Sequence, residues 1–407
     1  MLRPVRVCRR TGASVTVLLP ALLAAGPACA QYEVEQPSPV WVRALIDARV
    51  VRGSQPPSWT DSGPGKLRHG GRLTENGFER VTRAELAQLV LEFGAALPWG
   101  VRAQAQLNFQ QDVAEDDEPF LVEAFLRKEW GAPRAGFGLQ AGLMNTPFSL
   151  EHTGPAWSPE YTISASALNS WLWEETSVAG LEGEWWREAA GLRFGVLAGA
   201  GYGPDQIGRL LSVRGWTMGD VLSGVNAELP MPSGERTEIF DERDDRPAAY
   251  ASVSIGDAEE RVSLRAGWFD NFGDQYVPGV WETRFTTFGA IWHPHPNIEV
   301  LAQYLDGEAQ VYLPQNSSAL QATYGLLSWH NRRHRVSFRY DRFELEDLDG
   351  GPNTAEKGQA WTAAWFWQFG LRHRLAFEYV WMDSRREALA TPEPSQDGWQ
   401  FGYRFRY

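Results

Sequence analysis

Strict alternation of apolar and polar residues constrains the fold of this chain more than any other feature. The segment from Val101 to Gln110 reads VRAQAQLNFQ, so apolar and polar side chains take turns along it. Because successive side chains of a strand point to opposite faces, this segment predicts a strand with one apolar and one polar surface. The same pattern, less pure, predicts about sixteen strands. They begin near Val40, Glu85, Val101, Phe120, Gly136, Ser177, Ala190, Ala249, Arg261, Arg284, Ile298, Thr323, Arg335, Gln359, Arg374 and Gly398.

The connections between these predicted strands alternate in length. Connections after the even-numbered strands are short, as at residues 97–100, 256–260 and 293–297. Connections after the odd-numbered strands are long, and they run through residues 52–83, 146–176, 203–247, 270–282 and 345–357. Short turns at one end and long loops at the other are typical of outer-membrane barrels. We therefore predict an all-β, transmembrane antiparallel β-barrel of about sixteen strands, with short periplasmic turns and long extracellular loops.

The N-terminal residues predict a cleaved signal peptide, residues 1–30, followed by a single barrel domain, residues 31–407. Four arginines precede a short apolar run from Val15 to Ala25, and Ala28-Cys29-Ala30 fits the small-x-small cleavage pattern. Alternatively, Cys29 becomes the first residue of a lipoprotein. Both cysteines, Cys8 and Cys29, lie in or at the end of this leader, so no disulfide framework is expected.

Charge limits the partners that the exported chain is expected to bind. The formal net charge of the full chain is −13, and removal of the leader arginines makes it more negative. A strongly acidic protein repels the phosphate backbone, so no nucleic acid partner is expected. No cofactor and no metal are predicted either, because His293 and His295 lie in a proline-rich turn without a third nearby ligand.

The C-terminal segment carries an unbroken aromatic face. Its aromatic residues alternate with Gln400, Gly402, Arg404 and Arg406, and they are Trp399, Phe401, Tyr403, Phe405 and Tyr407. Such a face is expected to meet outer-membrane lipid and lipopolysaccharide, with tyrosines at the interface. A terminal aromatic strand also resembles the signal that the barrel assembly machinery recognises, here through Phe405 and Tyr407. Alternatively, this segment is the last strand of a β-sandwich core.

One segment resembles a known family. Residues 137–151 read FGLQAGLMNTPFSLE, and the Pro147-Phe148-Ser149-Leu150-Glu151 run resembles the strand-to-loop segment of phosphate-selective porins of the O/P type. The resemblance implies a sixteen-stranded homotrimer with an inward-folded third loop. Asn145 and Thr146 stand where that family usually has lysine, and the chain contains only Lys66, Lys128 and Lys357. The motif therefore does not support phosphate selectivity.

Assigning the apolar face of each strand to lipid predicts which residues line the lumen. The predicted cations are Arg43, Arg49, Arg102, Arg127, Arg193, Arg261, Arg265, Arg284, Arg335, Arg339, Arg374, Arg404 and Arg406. The predicted acids are Asp47, Glu92, Glu123, Glu129, Glu182, Glu184, Glu299, Asp341 and Glu378. Arginines outnumber acids here, whereas loop segments 241–245 and 344–349 are acidic. We expect a weak anion preference inside the barrel and cation accumulation or divalent-ion binding at the loops. Alternatively, these arginines only pair with carboxylates across strands.

The loop of residues 146–176 is the predicted constriction, and two readings of its side chains remain. Stacked indoles with carboxylates form a sugar-binding surface in some proteins, whereas the same aromatics elsewhere only anchor a loop to the wall. The residues concerned are Glu151, His152, Trp157, Glu160, Trp171, Trp173, Glu174 and Glu175.

These patterns predict passive diffusion of small hydrophilic solutes or ions through a water-filled lumen, without covalent chemistry. Two rival functions remain. The first is a barrel enzyme acting on lipid or lipopolysaccharide, because Ser149, Glu151 and His152 lie close in sequence. The second is a secreted β-protein that binds glycans through its many tryptophans.

Overall fold

The computed structural model describes residues 39–111, 113, 118–313, 315–350, 355–386 and 395–407. The predicted signal peptide lies outside the described residues and stays a prediction. No helix in the described part of the chain is long and apolar enough to cross a membrane.

Sixteen strands of the described residues form one closed barrel in which every neighbouring pair is antiparallel. The predicted strand number and fold class are confirmed. The strands are β1 (Val40–Arg52), β2 (Thr82–Leu97), β3 (Val101–Phe109), β4 (Phe120–Ala132), β5 (Ala135–Asn145), β6 (Ser177–Ala189), β7 (Leu192–Tyr202), β8 (Ala248–Asp257), β9 (Val262–Asp270), β10 (Glu282–His295), β11 (Ile298–Val311), β12 (Asn316–His330), β13 (His334–Asp347), β14 (Glu356–Gln368), β15 (His373–Arg386) and β16 (Ser395–Arg406).

The predicted start of β12 is the one that differs most from the structure. The alternation begins at Thr323, whereas the strand begins at Asn316 and pairs with β11 from its first residue. The extra residues, which include Ser317, Ala319 and Gln321, continue the hairpin towards the extracellular end. Beyond the lipid, the outward face has no need to be apolar, so the pattern that marks a membrane strand is missing there.

The barrel closes between the first and last strands. β1 pairs with β16 from Leu45 opposite Arg406 to Arg52 opposite Trp399. Ala44 and Tyr407 exchange two backbone hydrogen bonds of 3.1 and 2.9 Å. Phe401 and Tyr403 on β16 face outward and are exposed. The aromatic strand is therefore a seam of the barrel, and the β-sandwich alternative for it is wrong.

Connection lengths follow the predicted alternation except after β11, where residues 312–315 make a connection as short as the turns at the other end. The turns at one end span two to four residues, as at 133–134, 190–191 and 258–261. The long loops include L1 (residues 53–81), L3 (residues 146–176) and L4 (residues 203–247) at the other end. L3 contains helix α1 (Ala167–Glu175), and L4 contains helix α2 (Arg209–Arg214). Short hairpins are added in L1 (Arg72–Thr74 with Gly77–Glu79) and in L4 (Glu228–Pro230 with Arg236–Glu238).

Apolar side chains cover the outward faces of the strands, while L1, L3 and L4 pack into the barrel. Phe288, Phe338 and Trp361 are among the large outward side chains and are each more than half exposed. Inside, Leu67 of L1, Leu168 and Trp171 of L3 and Trp216 of L4 join wall residues in one buried cluster. The interior therefore holds a packed core instead of an empty cylinder.

We predict that Phe288→Arg destabilises the barrel by about 2–4 kcal/mol, because Phe288 lies midway along β10 on the lipid-facing side. Unfolding by urea in lipid vesicles measures the effect. Leu371→Arg, in an exposed periplasmic turn, is the matched control and should change the stability by less than about 1 kcal/mol. Equal losses in the two variants would contradict the lipid-facing assignment.

Candidate functional site: the loop-filled lumen

The Pro147–Glu151 motif fastens L3 to the wall. The Phe148 ring contacts Tyr250 and Phe285 edge-on, with centroid distances of 6.3 and 5.4 Å. Wall glycines make room for the motif: a Cβ at Gly267 would lie 2.6 Å from the Phe148 ring, and one at Gly289 would lie 2.8 Å from Leu150. L3 is therefore seated directly against β9 and β10.

Arg339 on β13 is the principal polar anchor of L3. Its guanidinium donates to Glu151 at 2.7 Å and to Asp341 at 2.9 Å. It also donates to the Thr162 hydroxyl and to the carbonyl oxygens of Ser164 and Ala165, at 2.8 to 2.9 Å. Arg339 is only 1% exposed. With the Thr362 hydroxyl at 3.3 Å, six acceptors surround this buried guanidinium, and the four that belong to L3 fix its path across the lumen.

Wall carboxylates also cap the chain where α1 begins. Glu378 on β15 accepts the N–H groups of Ile163 and Ser164 at 2.5 and 3.0 Å. Asp341 accepts the N–H of Ala167 at 3.1 Å, and the N-cap residue Ser166 accepts that of Asn169. Since the first N–H groups of a helix lack partners within it, these acceptors stabilise the helix start.

L1 and L4 are held by a second ionic network at β1. Asp220 of L4 accepts from Arg49 on β1 and Arg68 of L1, each at 2.6 Å. Asp47 pairs with Arg49 and with Arg404 on β16. The sequence analysis did not predict Asp220 and Arg68 as lumen residues. Loop segments show no periodic pattern from which the direction of a side chain could be read.

The extracellular ends of β14 and β15 bind the same two loops. Lys66 of L1 donates to Glu356, the first residue of β14, at 3.0 Å, and to the carbonyl of Arg214 at 2.7 Å. Arg386, the last residue of β15, donates to the carbonyl of Ser212 at 2.5 Å. L1 and L4 therefore occupy the extracellular half of the lumen.

Helices α1 and α2 meet through a charged contact. Arg214 of α2 donates to Glu174 and lies 4.0 Å from the ring centroid of Trp59. Glu175 accepts the N–H of Gly208 at 2.5 Å. Burial raises the pKa of Glu175 to about 8, although the Arg214 charge opposes that shift. Glu175 is therefore mostly protonated at neutral pH.

Below L3, towards the short turns, the lumen keeps a cavity of about 660 Å³. L3 contributes Ser149, His152, Trp157 and Trp173 to its lining, and the wall contributes residues that include Arg193, Arg265 and Arg335. The Ser149 hydroxyl lies 2.9 Å from Nδ1 of His152. Glu151 does not complete a triad, because its carboxylate binds Ser166, Asn169 and Arg339 instead.

The structure places most of the predicted lumen residues on the inward face. Arg284 is a correction: it faces outward near the extracellular end of β10, and it donates to Glu308 at 2.7 Å. Arg261 lies in the turn before β9 and binds Asp257, so it does not face the lumen either. The other main predicted lining residues face inward, namely Arg43, Arg102, Arg127, Arg193, Arg265, Arg335, Arg339, Arg374, Glu92 and Glu123.

Many of these inward charges are engaged in contacts. Arg43 pairs with Glu92, and Arg127 pairs with Glu184. Glu123 accepts from the Trp157 indole at 2.9 Å. Pairing of wall arginines with carboxylates, the alternative to a dedicated anion path, therefore accounts for much of the wall. Whether the remaining inward residues line a conducting path stays a prediction.

The residues of the predicted constriction lie inside the barrel and, apart from the half-buried Glu160, are buried. The Trp173 ring stacks on His152 at a centroid distance of 4.7 Å and packs against the Trp157 ring in a tilted arrangement at 5.2 Å. This mutual stacking takes up ring faces that a sugar would need, so the geometry favours the anchoring reading of these two indoles.

Acidic side chains also gather in L4. Carboxylate oxygens of Asp205, Glu242 and Asp244 lie within 4.8 Å of one another. Burial raises the pKa of Asp205 to about 6 and that of Glu242 to about 7. The cluster overlaps the acidic segment for which the sequence predicts divalent-ion binding, and that binding stays a prediction.

Comparisons with known proteins find the fold and no family. No protein-family model matches the chain, and no curated protein matches it. Among solved structures, the outer-membrane channel DcaP of Acinetobacter baumannii is similar with a TM-score of 0.56 and 11% identity, over 90% of this chain and 97% of that one. OmpT of Vibrio cholerae is similar with a TM-score of 0.52 and 9% identity, over 90% and 97% of the two chains. The chain has the same fold as these outer-membrane β-barrels.

We predict that Arg339→Gln releases L3 from the wall and lowers the stability by about 3–5 kcal/mol, because Glu151 and Asp341 lose their buried counter-charge. Hydrogen exchange in detergent should show loss of protection across residues 146–176. Arg342→Gln, an exposed outward arginine on the same strand, should leave that protection unchanged. Retained protection in Arg339→Gln would contradict the anchoring role.

We predict that the thermal midpoint falls as pH rises from 6 to 9. A folded-state pKa of Glu175 raised to about 8 favours the protonated form, so its stabilisation is complete below the ordinary pKa and is lost as pH rises through 8. Glu175→Gln cannot ionise and should reduce this slope. Glu238→Gln, an exposed change in the same loop as α2, is the control. An unchanged slope in Glu175→Gln would overturn the assignment.

Proposed function

We propose that this protein is an outer-membrane diffusion channel for small hydrophilic solutes or ions. The observation that carries the proposal is the closed barrel whose inward face carries many charged side chains and whose lower lumen keeps a cavity of about 660 Å³. A hydrophilic solute avoids the membrane hydrocarbon by crossing through such a lumen. The similarity to a barrel described as an outer-membrane channel supports the same function.

L3 is the proposed constriction. It crosses the lumen and is held there by Arg339, while L1 and L4 fill the extracellular half. The proposed conducting path is therefore narrow and passes between packed loops. We expect a small conductance for a barrel of this strand number, and movement of L1 or L4 would widen the path.

A weak anion preference is proposed for the lower lumen. No carboxylate oxygen of the described residues lies within 4 Å of the guanidinium nitrogens of Arg102, Arg265 or Arg374. Guanidinium stays charged at all physiological pH values, so these side chains attract anions entering from the periplasmic side. The neutralised wall arginines contribute less, because each already faces an acid.

The finer assignments remain proposals of the same kind. Insertion by the barrel assembly machinery, contact with lipopolysaccharide, export through the leader and a homotrimer all agree with an outer-membrane barrel. The phosphate-selective porin resemblance is supported only by the Pro147–Glu151 motif. In this chain the motif anchors L3 to the wall, and no lysine precedes it to attract phosphate.

The hydrolase alternative has a weaker basis. Ser149 and His152 are in contact, but among the described residues no carboxylate orients the imidazole, and Nε2 of His152 has no partner. A serine nucleophile needs an oriented base, so we do not adopt an enzymatic function.

Single-channel recording in planar bilayers under a salt gradient tests the proposal. We expect stable conductance steps with a reversal potential on the anion side, and Arg265→Glu should shift it towards cations. Arg342→Glu changes the charge on the outward face of β13 and should leave the reversal potential unchanged. Absence of conductance from folded, heat-modifiable protein would refute the channel.

A further inference from the structure

Two neighbouring short turns carry three exposed arginines, which we call the basic rim. Arg332 and Arg333 lie in the turn between β12 and β13, and Arg372 lies in the turn between β14 and β15. Within the part of the chain that the structure describes, no carboxylate oxygen lies within 4 Å of these three guanidinium groups. Their charge is therefore directed at whatever surrounds this end of the barrel.

Backbone hydrogen bonds hold the two turns side by side. The N–H of Gln368, at the end of β14, donates to the carbonyl of Arg333 at 2.7 Å. On the other side, the N–H of Arg406 donates to the carbonyl of Arg372 at 2.9 Å. The three arginines thus stand together at the ends of four consecutive strands, β12 to β15.

The other short turns at this end present no such excess of positive charge. Arg134 lies 3.4 Å from a carboxylate oxygen of Glu188, and Arg261 lies 3.0 Å from one of Asp257. The three remaining short turns contain no charged residue. Among these turns, unpaired cations are therefore confined to the basic rim.

A band of aromatic rings, which we call the aromatic band, adjoins the basic rim on the outward face. His334 stacks on Trp367 at a centroid distance of 6.4 Å, and Trp367 contacts Phe369 at 5.1 Å. His373 stacks on Phe369 at 5.5 Å, and its Nδ1 lies 2.8 Å from the Tyr403 hydroxyl oxygen. Such rings mark the membrane–water interface of outer-membrane barrels. Side chains just beyond them stand at the level of the lipid headgroups.

The arginines adjoin this band directly in the chain. Arg333 precedes His334, and Arg372 precedes His373. The Cζ atom of Arg372 lies 5.3 Å from the centroid of the Tyr407 ring, so its charge stays next to the aromatic face of β16. The basic rim therefore meets the headgroup layer of the leaflet on the side of the short turns.

The chemistry of guanidinium selects among the headgroups of that leaflet. A guanidinium binds two phosphate oxygens in a fork. A zwitterionic headgroup adds an ammonium that the same arginines repel, whereas an anionic phospholipid offers its phosphate without one. A free phosphate offers only its charge, while a phospholipid also packs its glycerol and chains against the aromatic band.

We propose that the basic rim is a docking surface for anionic phospholipids of the periplasmic leaflet, whose phosphates accept from Arg332, Arg333 and Arg372 and whose chains lie against the aromatic band. The inference rests on the proposed function only in that the barrel lies in the outer membrane. Lipid docking itself requires no conduction.

Fluorescence energy transfer from a single labelled cysteine measures which lipid gathers at the basic rim. Cys8 and Cys29 are the only cysteines of the chain, so Leu371→Cys gives one attachment site once both are changed to serine. The protein is folded into phosphatidylcholine vesicles that contain phosphatidylglycerol, and the acceptor is either lipid, labelled on its chain and present at the same mole fraction. We expect the local density of phosphatidylglycerol around residue 371 to exceed that of phosphatidylcholine by at least about threefold.

Variants separate charge from position. Arg332→Gln, Arg333→Gln and Arg372→Gln together should bring the density ratio to about one, because no guanidinium remains to bind phosphate. Lysine at the same three positions keeps the charge without the fork and should retain part of the excess. Ala258→Cys is the matched control, because it labels the β8–β9 turn, where Arg261 is paired with Asp257, and the ratio there should be close to one.

The opposite outcomes overturn the docking surface. Equal densities of the two lipids at residue 371 of the otherwise unchanged protein would refute it, whether or not the glutamine variant folds. An equal excess at residue 258 would show a general attraction of the barrel for anionic lipid, and loss of the excess to inorganic phosphate at constant ionic strength would show a site for free anions. Channel recording on the same protein keeps the two proposals apart: conductance without lipid excess refutes only the docking surface, and lipid excess without conductance refutes only the channel.

Discussion

Closure of the sheet is the constraint on which the rest of the structure depends. Within the hydrocarbon of a membrane, unpaired backbone N–H and C=O groups are too costly, so a sheet can cross only if its first and last strands pair. Here β1 and β16 make that seam, and the C-terminal Tyr407 exchanges backbone hydrogen bonds with Ala44. Once the ring is closed, every strand has one face towards lipid and one towards the interior, and the alternation of side chains follows from this geometry.

The same closure turns the interior into a place where charges find partners. Two wall arginines bind loop carboxylates, Arg339 to Glu151 of L3 and Arg49 to Asp220 of L4. Lys66 of L1 binds Glu356 at the end of a wall strand. Because these charges are removed from bulk water, each pair is retained only where further hydrogen bonds satisfy the remaining donors and acceptors, as around Arg339. L1, L3 and L4 are thus held by the wall, and the shape of the lumen is set by ionic contacts between strands and loops.

The fold was largely predictable from the sequence, because lipid imposes a repeated signal. Each membrane-crossing segment must show an apolar outward face, and the turns and loops separate these segments at regular intervals. The signal fades where the lipid ends, which is why the extracellular part of β12 was missed and Arg284 was assigned to the wrong face. Near the extracellular end of β10, an outward arginine meets Glu308 and not hydrocarbon, so polarity no longer identifies the lumen side.

The sequence by itself determined that the chain crosses with about sixteen strands, which ends carry the long loops and which side chains of most strands face inward, because each of these is encoded by local periodicity. Only the tertiary structure decided what the inward charges do. Asp220 forms ion pairs with Arg49 and Arg68, each more than 150 residues away in sequence. Glu151 binds Arg339 and not the neighbouring His152. Such contacts depend on how aperiodic loops fold back into a closed barrel.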